Sequence, residues 1–232
     1  MAPTKPAAIG FPRLHFRCTD STNERARELA ASGALHGTLV TAAEQSAGRG
    51  RQGREWSAPA GQALLASLLL REMPPLLPLL AGVAVADVVG DDAQLKWPND
   101  VLDDAGRKLC GILVEGRPQD GWAVLGIGLN VAVELEHLPD EIRGRAGTLG
   151  LEPSAIEPLL SELLQALEHR LAAPSAEVLQ AFRARDVLRG RDVSWSGGSG
   201  VADGIDDDGH LVVALAGGTQ ITLAAGEVHL TE

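Results

Sequence analysis

Nine consecutive residues, Gly48-Arg49-Gly50-Arg51-Gln52-Gly53-Arg54-Glu55-Trp56, set three guanidiniums among three glycines and end in an indole. A guanidinium presents a planar fork of donors that matches a carboxylate or phosphate in two-point fashion, and glycine lets the backbone turn where other residues are strained. Such a loop suits closure over an anion. Trp56 adds a flat apolar face, so an anionic ligand with a stackable ring, such as a nucleotide, matches these residue types. Two other readings stay open on the residues alone. One is a plain solvated connection. The other is a dinucleotide-binding turn, since Gly48, Gly50 and Gly53 have G-x-G-x-x-G spacing. That turn should open a helix, yet Ser57-Ala58-Pro59-Ala60-Gly61 leads into the apolar run Ala63 to Leu70, which reads as a strand.

Further polar groups stand at the ends of apolar runs. Lys96-Trp97-Pro98-Asn99-Asp100 places an amide and a carboxylate directly after a strand; Asp100 could hold a magnesium ion, or the Asn-Asp pair could simply satisfy its own backbone as a turn. Lys108 precedes Leu109 to Val114, as a snorkelling surface residue or as a phosphate ligand. Two glycines inside the apolar stretch Gly126-Ile127-Gly128-Leu129-Asn130-Val131 imply that something approaches the backbone closely, with Asn130 placed to meet it. The six histidines show no metal spacing and no nucleophile beside them, which leaves a Ser–His hydrolase unsupported. Chemistry without a nucleophile or base rests on positioning and charge neutralisation, as adenylyl transfer does.

These residues need elements to hold them. Ser21 and Glu24 have capping-box spacing before an apolar stripe that Gly33 ends, so Ser21-Thr22-Asn23 is expected at a helix N-terminus, where backbone N–H groups and short polar side chains point outward together. Strands are expected at 38–45, 62–70, 94–97, 109–115 and 122–131, with a buried helix over 79–89. This order is not a strict β–α alternation, and it favours a mixed or antiparallel sheet backed by helices. Ser154 and Glu157 repeat the capping-box spacing before a leucine stripe from Leu159 to Leu171, and a second helix is expected over 176–188. From Asp192 onward short apolar runs alternate with turns, as in a small β-barrel.

The 232 residues are 45% hydrophobic, enough for one sizeable domain and a small one. The formal charge of −11 is unevenly spread: residues 1–60 carry a net +3 and the rest −14. Basic character is local to the loop, which argues for a small anion and against nucleic acid. Cys18 and Cys110 have no pairing or metal spacing, which fits a reducing, cytoplasmic setting. No stretch reads as a membrane span or an export signal.

Taken together, Ser21-Thr22-Asn23, Gln45, Gly48 to Trp56, Lys96 to Asp100, Lys108 to Glu115 and Gly126 to Val131 resemble the biotin protein ligases in order and spacing. The resemblance implies an α+β fold: a mixed-sheet catalytic domain related to class II aminoacyl-tRNA synthetases and lipoyl ligases, followed by a small C-terminal β-barrel. The expected division is a flexible tail over 1–12, a catalytic domain over 13–188 and the barrel over 189–232. The implied activity joins biotin and Mg-ATP into biotinyl-5′-AMP and transfers biotin to one lysine of a biotin carboxyl carrier protein. A lipoate or octanoate ligase or transferase is the alternative. By position, Ser21, Thr22, Asn23, Gln45, Arg49 and Gly111 would contact biotin. Arg51, Arg54, Trp56, Asn99, Asp100, Lys108 and Asn130 would serve ATP, with Asp100 also on Mg²⁺, and Lys108, Arg49 and Arg51 would carry the chemistry. The implied partner is a carrier domain of an acyl-CoA carboxylase. The short stretch before residue 13 leaves no room for the winged helix–turn–helix of regulatory members, so no DNA partner is expected, nor a membrane, and the protein is expected as a monomer or weak homodimer.

Overall fold

In the computed structural model, which describes residues 9–231, the apolar run after the arginine-rich loop is an inner strand of a seven-stranded mixed sheet. The strands are β1 (Arg13–Phe16), β2 (Leu39–Ala42), β3 (Ala63–Leu70), β4 (Gln94–Lys96), β5 (Asp100–Leu102), β6 (Lys108–Arg117) and β7 (Trp122–Asn130), in spatial order β1-β2-β3-β7-β6-β5-β4. β1 and β2 pair in parallel and every other neighbouring pair is antiparallel. The helices are α1 (Thr22–Ala31), α2 (Leu77–Val89), the single turn α3 (Asp140–Arg143), α4 (Ile156–Ala172) and α5 (Ser175–Arg183).

The alternation of side chains along a strand decides where the site lies. On β3, Leu64, Ala66, Leu68 and Leu70 join the main core with α2 and α4. Leu69 faces the opposite way into a small cluster with Ala26 and Ala30 of α1, and Ala63 and Leu65 into another with Val133, Leu138 and Ala146. Ser67 lies on that second face between the two clusters. The same face of β7 carries Gly126, Gly128 and Asn130, while Leu125, Ile127 and Leu129 go to the core. One apolar layer therefore fixes the sheet, and the other face is open exactly where its residues are small or polar. α2 is buried nearly all round, as its unbroken apolar run requires.

The C-terminal strands β8 (Asp192–Trp195), β9 (Gly198–Ile205), β10 (Leu211–Ala214), β11 (Gln220–Leu223) and β12 (His229–Leu230) form an antiparallel sheet in the order β11-β10-β9-β8-β12. Val193, Ala202, Leu211, Val213 and Val228 share the main core with α2 and α5, and the buried Trp97 indole donates to the Gly209 carbonyl at 3.0 Å.

Several local expectations are corrected. Neither capping box forms: Ser21 has the extended backbone of an N-cap but its side chain makes no cap bond, and the helix expected from Ser154 begins as a 3₁₀ turn, with Ala155 before α4. The two glutamates have stronger partners, since Glu24 pairs with Arg49 and Arg27, and Glu157 takes a two-point bond from Arg13 at 2.6 and 2.7 Å. That pairing holds the Glu157 carboxyl below its ordinary pKa. The helix expected to reach residue 188 stops at Arg183, and Asp100 to Leu102, taken only as following a turn, is a strand paired with β4 and β6. Residues 1–8 of the expected tail lie outside the described residues; packing has begun by Ile9, which is buried and donates its N–H to Glu168.

Candidate active site

A cleft of about 460 Å³ opens on the small-residue face of the sheet. All thirteen residues singled out in the sequence line it, from Ser21 at the start of α1 to Asn130 at the end of β7. Its floor is neutral and tightly bonded. The Thr22 N–H and hydroxyl both donate to the Gln45 side-chain oxygen, at 2.7 and 3.0 Å. The Ser67 hydroxyl lies 2.8 Å from Thr22 Oγ1 and 2.6 Å from Asn23 Oδ1. The Asn23 amide donates to Glu115 at 2.9 Å. Asn23 rests on Gly126, where a Cβ would collide with its amide.

Two hydroxyl protons cannot serve three contacts. Thr22 gives its proton to Gln45 or to Ser67, and Ser67 has one for either Thr22 or Asn23, so three contacts share two protons and the floor keeps lone pairs that can accept a further donor. Both Thr22 and Asn23 are buried, at 4% and 3% exposure. A ligand N–H would add a donor to this network.

The roof is the arginine-rich segment, and it is a tight hairpin rather than a loose connection. Trp56 N–H bonds to the Gly48 carbonyl and Gly50 N–H to the Arg54 carbonyl, at 2.9 and 2.7 Å, around a 3₁₀ turn at Arg51–Gly53. No helix follows, so the dinucleotide-turn reading fails. Arg51 points inward: it donates to Asn99 Oδ1 at 2.8 Å and to the Gly226 carbonyl at 3.1 Å, and burial lowers its pKa despite the nearby Asp100 carboxylate. Arg54 pairs with Glu227 at 2.7 Å. Arg49 faces outward to Glu24 and Glu115, at 2.6 and 3.2 Å.

Trp56 lies across Gly111 and Gly128, which are directly paired on β6 and β7; a Cβ on Gly128 would sit 2.5–2.9 Å from the indole. The close approach implied by the strand glycines is thus made by Asn23 and Trp56. The indole N–H is buried without a partner, and Lys108 Nζ stands 5.8 Å from the ring centroid. Lys108 also pairs with Asp100 at 2.7 Å. Asn99 does not turn back on its own backbone but donates to the Ile112 carbonyl at 2.8 Å. Asn130 donates to the Gly147 carbonyl at 2.8 Å, while its Oδ1 is buried and unpartnered.

Sequence reasoning missed several groups. Ser67 is a lone hydroxyl in an eight-residue apolar strand, and that contrast was the available signal. Lys96 lines the cleft beside Asp100, and burial lowers its pKa. The segment from Gly226 to Leu230 forms part of the wall, brought there by the C-terminal sheet, and nothing in its own sequence marks it. Among the described residues the one acidic and imidazole cluster close enough to hold a metal, Asp206, Asp208 and His210, does not line the cleft; Asp206 there accepts the backbone N–H groups of the other two.

The model of the Biotin/lipoate A/B protein ligase family matches residues 15–131, and that of the Biotin protein ligase C terminal domain matches residues 196–230. A biotin–[acetyl-CoA-carboxylase] ligase of Mycobacterium tuberculosis is 37% identical, over 91% of this chain and 86% of its own length. One from Paracoccus denitrificans is 32% identical, over 89% and 96%. Among solved structures, biotin protein ligase from Aquifex aeolicus in complex with biotin and ATP aligns with a TM-score of 0.80 and 27% identity, covering 94% of this chain and 98% of that one.

Proposed function

The chain belongs to the biotin/lipoate A/B protein ligase family, and on that premise we propose that it is an ATP-dependent biotin protein ligase. The observation that carries this reading is the floor's cluster of buried oxygens with lone pairs free to accept a ligand N–H. Biotin's ureido ring offers two N–H donors and a carbonyl acceptor, which complements Thr22, Asn23, Gln45 and the Ser21 hydroxyl. The dithiolane of lipoate and the chain of octanoate offer no N–H.

The first step brings two anions together. A biotin carboxylate oxygen attacks the α-phosphorus of Mg-ATP, the bond to the bridging oxygen breaks, and pyrophosphate leaves. Arg51 and Lys108 both line the cleft and neutralise that repulsion. Lys96 and Arg54 extend the positive wall toward the leaving phosphates. Asn130 Oδ1 accepts from the adenine amine, and Trp56 gives the base a face to stack on. Asp100 is a single carboxylate ion-paired with Lys108, so it would suit a magnesium ion that arrives with the phosphates, not a preformed cage. In the second step the amine of a carrier lysine attacks the acyl carbon, the carbon–oxygen bond to AMP breaks, and the amine gives up a proton. The acceptor is the carrier domain of an acyl-CoA carboxylase. Arg49, held outward by two carboxylates, anchors the hairpin and leaves the phosphate to Arg51.

Pyrophosphate release from Mg-ATP, measured with biotin, lipoate or octanoate as the only acid, tests the reading. Release with biotin alone is expected. Release with lipoate or octanoate would move the assignment to the sister activity, and none with any acid would leave a binding protein.

A further inference from the structure

We propose that Glu115, with Glu24, is a positioning residue that ties the arginine hairpin to the floor of the cleft. Glu115 lies on β6, and its carboxylate is 19% exposed. One oxygen accepts the Asn23 amide at 2.9 Å, and the other faces Arg49 at 3.2 Å, with Arg27 at 3.7 Å. Glu24, on the first turn of α1, holds the same Arg49 guanidinium at 2.6 Å. An unbroken path therefore runs from the hairpin through Glu115 to Asn23, Ser67, Thr22 and Gln45.

The chemistry of that path is directional. An ionised carboxylate and a backbone carbonyl only accept, so Glu115 at 2.9 Å, with the Leu113 carbonyl at 3.4 Å, obliges Asn23 to turn its NH₂ outward and its Oδ1 toward Ser67 and the floor. This orientation presents an amide oxygen whose second lone pair can accept from a ligand. A glutamine in place of Glu115 accepts or donates equally well, which leaves the amide held only by the longer bond to the Leu113 carbonyl and freer to flip, and it removes the charge from one side of Arg49. A ligand that donates to Asn23 fixes the amide, polarises it toward Glu115 and strengthens the hold on Arg49. Filling the floor and closing the hairpin are then linked, and by thermodynamic necessity the linkage is mutual.

This inference rests on biotin being the ligand of the floor, so the experiment measures that binding separately. Biotin affinity by calorimetry and the rate of tryptic cleavage at Arg49, Arg51 and Arg54, with and without saturating biotin, are compared for the full chain, Glu115→Gln, Arg49→Gln and the double variant. Biotin is expected to slow cleavage of the wild type, while Glu115→Gln loses most of that protection and binds biotin roughly tenfold more weakly, a central figure for one charge-assisted hydrogen bond. Arg49→Gln also loses the protection but keeps the Asn23 contact, so its affinity falls by about threefold or less. Adding Glu115→Gln to Arg49→Gln should change protection no further, an outcome that general damage to the fold would not give. Full biotin protection in Glu115→Gln, or additive losses in the double variant, would overturn the linkage while leaving the ligase reading intact. No saturable biotin binding by the wild type would remove both. If Glu115→Gln fails to fold, undiminished biotin protection in Glu24→Gln, where the hairpin loses its other carboxylate, overturns the proposal, and reduced protection supports it.

Discussion

Asn23 and Thr22 on the floor of the cleft and Ser67 behind them are 0–4% exposed and hold one another through neutral hydrogen bonds, whereas Arg49 and Arg54 in the roof have side chains 43% and 53% exposed and hold carboxylates through ion pairs. The floor sits on regular elements, the first turn of α1 and the strands β3, β6 and β7. The roof is a hairpin joined to them mainly through charges. A buried neutral bond cannot be traded without leaving an orphan, so the floor is fixed and selective. An exposed ion pair is worth about 0–1 kcal/mol, so the roof can exchange a protein carboxylate for a ligand phosphate at little cost. Recognition belongs to the first region and response to charge to the second.

Arg51→Ala tests that division most severely, because Arg51 is the roof arginine that turns inward. Pyrophosphate release should fall by a factor on the order of 30 to 1,000, corresponding to roughly 2–4 kcal/mol of lost transition-state stabilisation. Biotin affinity, read by calorimetry without ATP, should change little. An equal loss in both would show that roof and floor do not divide the work.

Ser67→Ala is the converse. It takes a proton from the floor without touching a charge, in the free and the liganded protein alike, so about 1–3 kcal/mol for the acceptor left bare should come off stability, read as a lower Tm, with kcat and the KM for biotin nearly unchanged. A fall in kcat with constant KM would place Ser67 in the chemistry instead.

These two residues also mark the limits of sequence reading. Arg51 was legible because glycine and arginine at that density have few other uses; Asn99, Asp100, Lys108 and Asn130 stood out as polar groups at the ends of apolar runs, Ser21 to Asn23 as a helix start, and Gln45 only through the family resemblance. The sheet and α2 were legible from alternation and from its absence. Ser67 and Glu115 were assigned no separate role because each depends on Asn23, far away in sequence, and Lys96 because its role depends on the tight β4–β5 hairpin that sets it opposite Asp100. The failed capping boxes have the same cause. Glu24 and Glu157 obey a local pattern, but distant arginines bind them more strongly than a backbone N–H does.

Lys96→Met should move stability and activity in opposite directions. Burial lowers the Lys96 pKa in the folded chain, so its ammonium is worse off folded than unfolded. The penalty is present at neutral pH and disappears as pH rises through the lowered value toward the ordinary 10.5. Methionine, similar in length and uncharged, should raise Tm without ligand by a few degrees, taking about 1 kcal/mol as worth roughly 2–4 °C at this size. The KM for ATP should rise several-fold. A lower Tm would mean that Asp100 more than offsets the cost of burying the lysine, and the charge would then be structural.

Glu227→Gln probes the weakest join, where the C-terminal sheet meets the roof. Its partner Arg54 has a side chain 53% exposed, so the pair should contribute no more than about 1 kcal/mol, and loss of the charge should alter the KM for ATP by less than about fivefold. The neighbouring bond from Arg51 to the Gly226 carbonyl survives, because it uses backbone that β12 positions through its pairing with β8. A small effect here beside a large one for Arg51→Ala would assign the C-terminal segment's contribution to its backbone, as a wall that stops Arg51 from swinging outward. A loss as large as that of Arg51→Ala would instead make Glu227 part of the charge arrangement that receives the triphosphate, and the roof would then extend across both sheets.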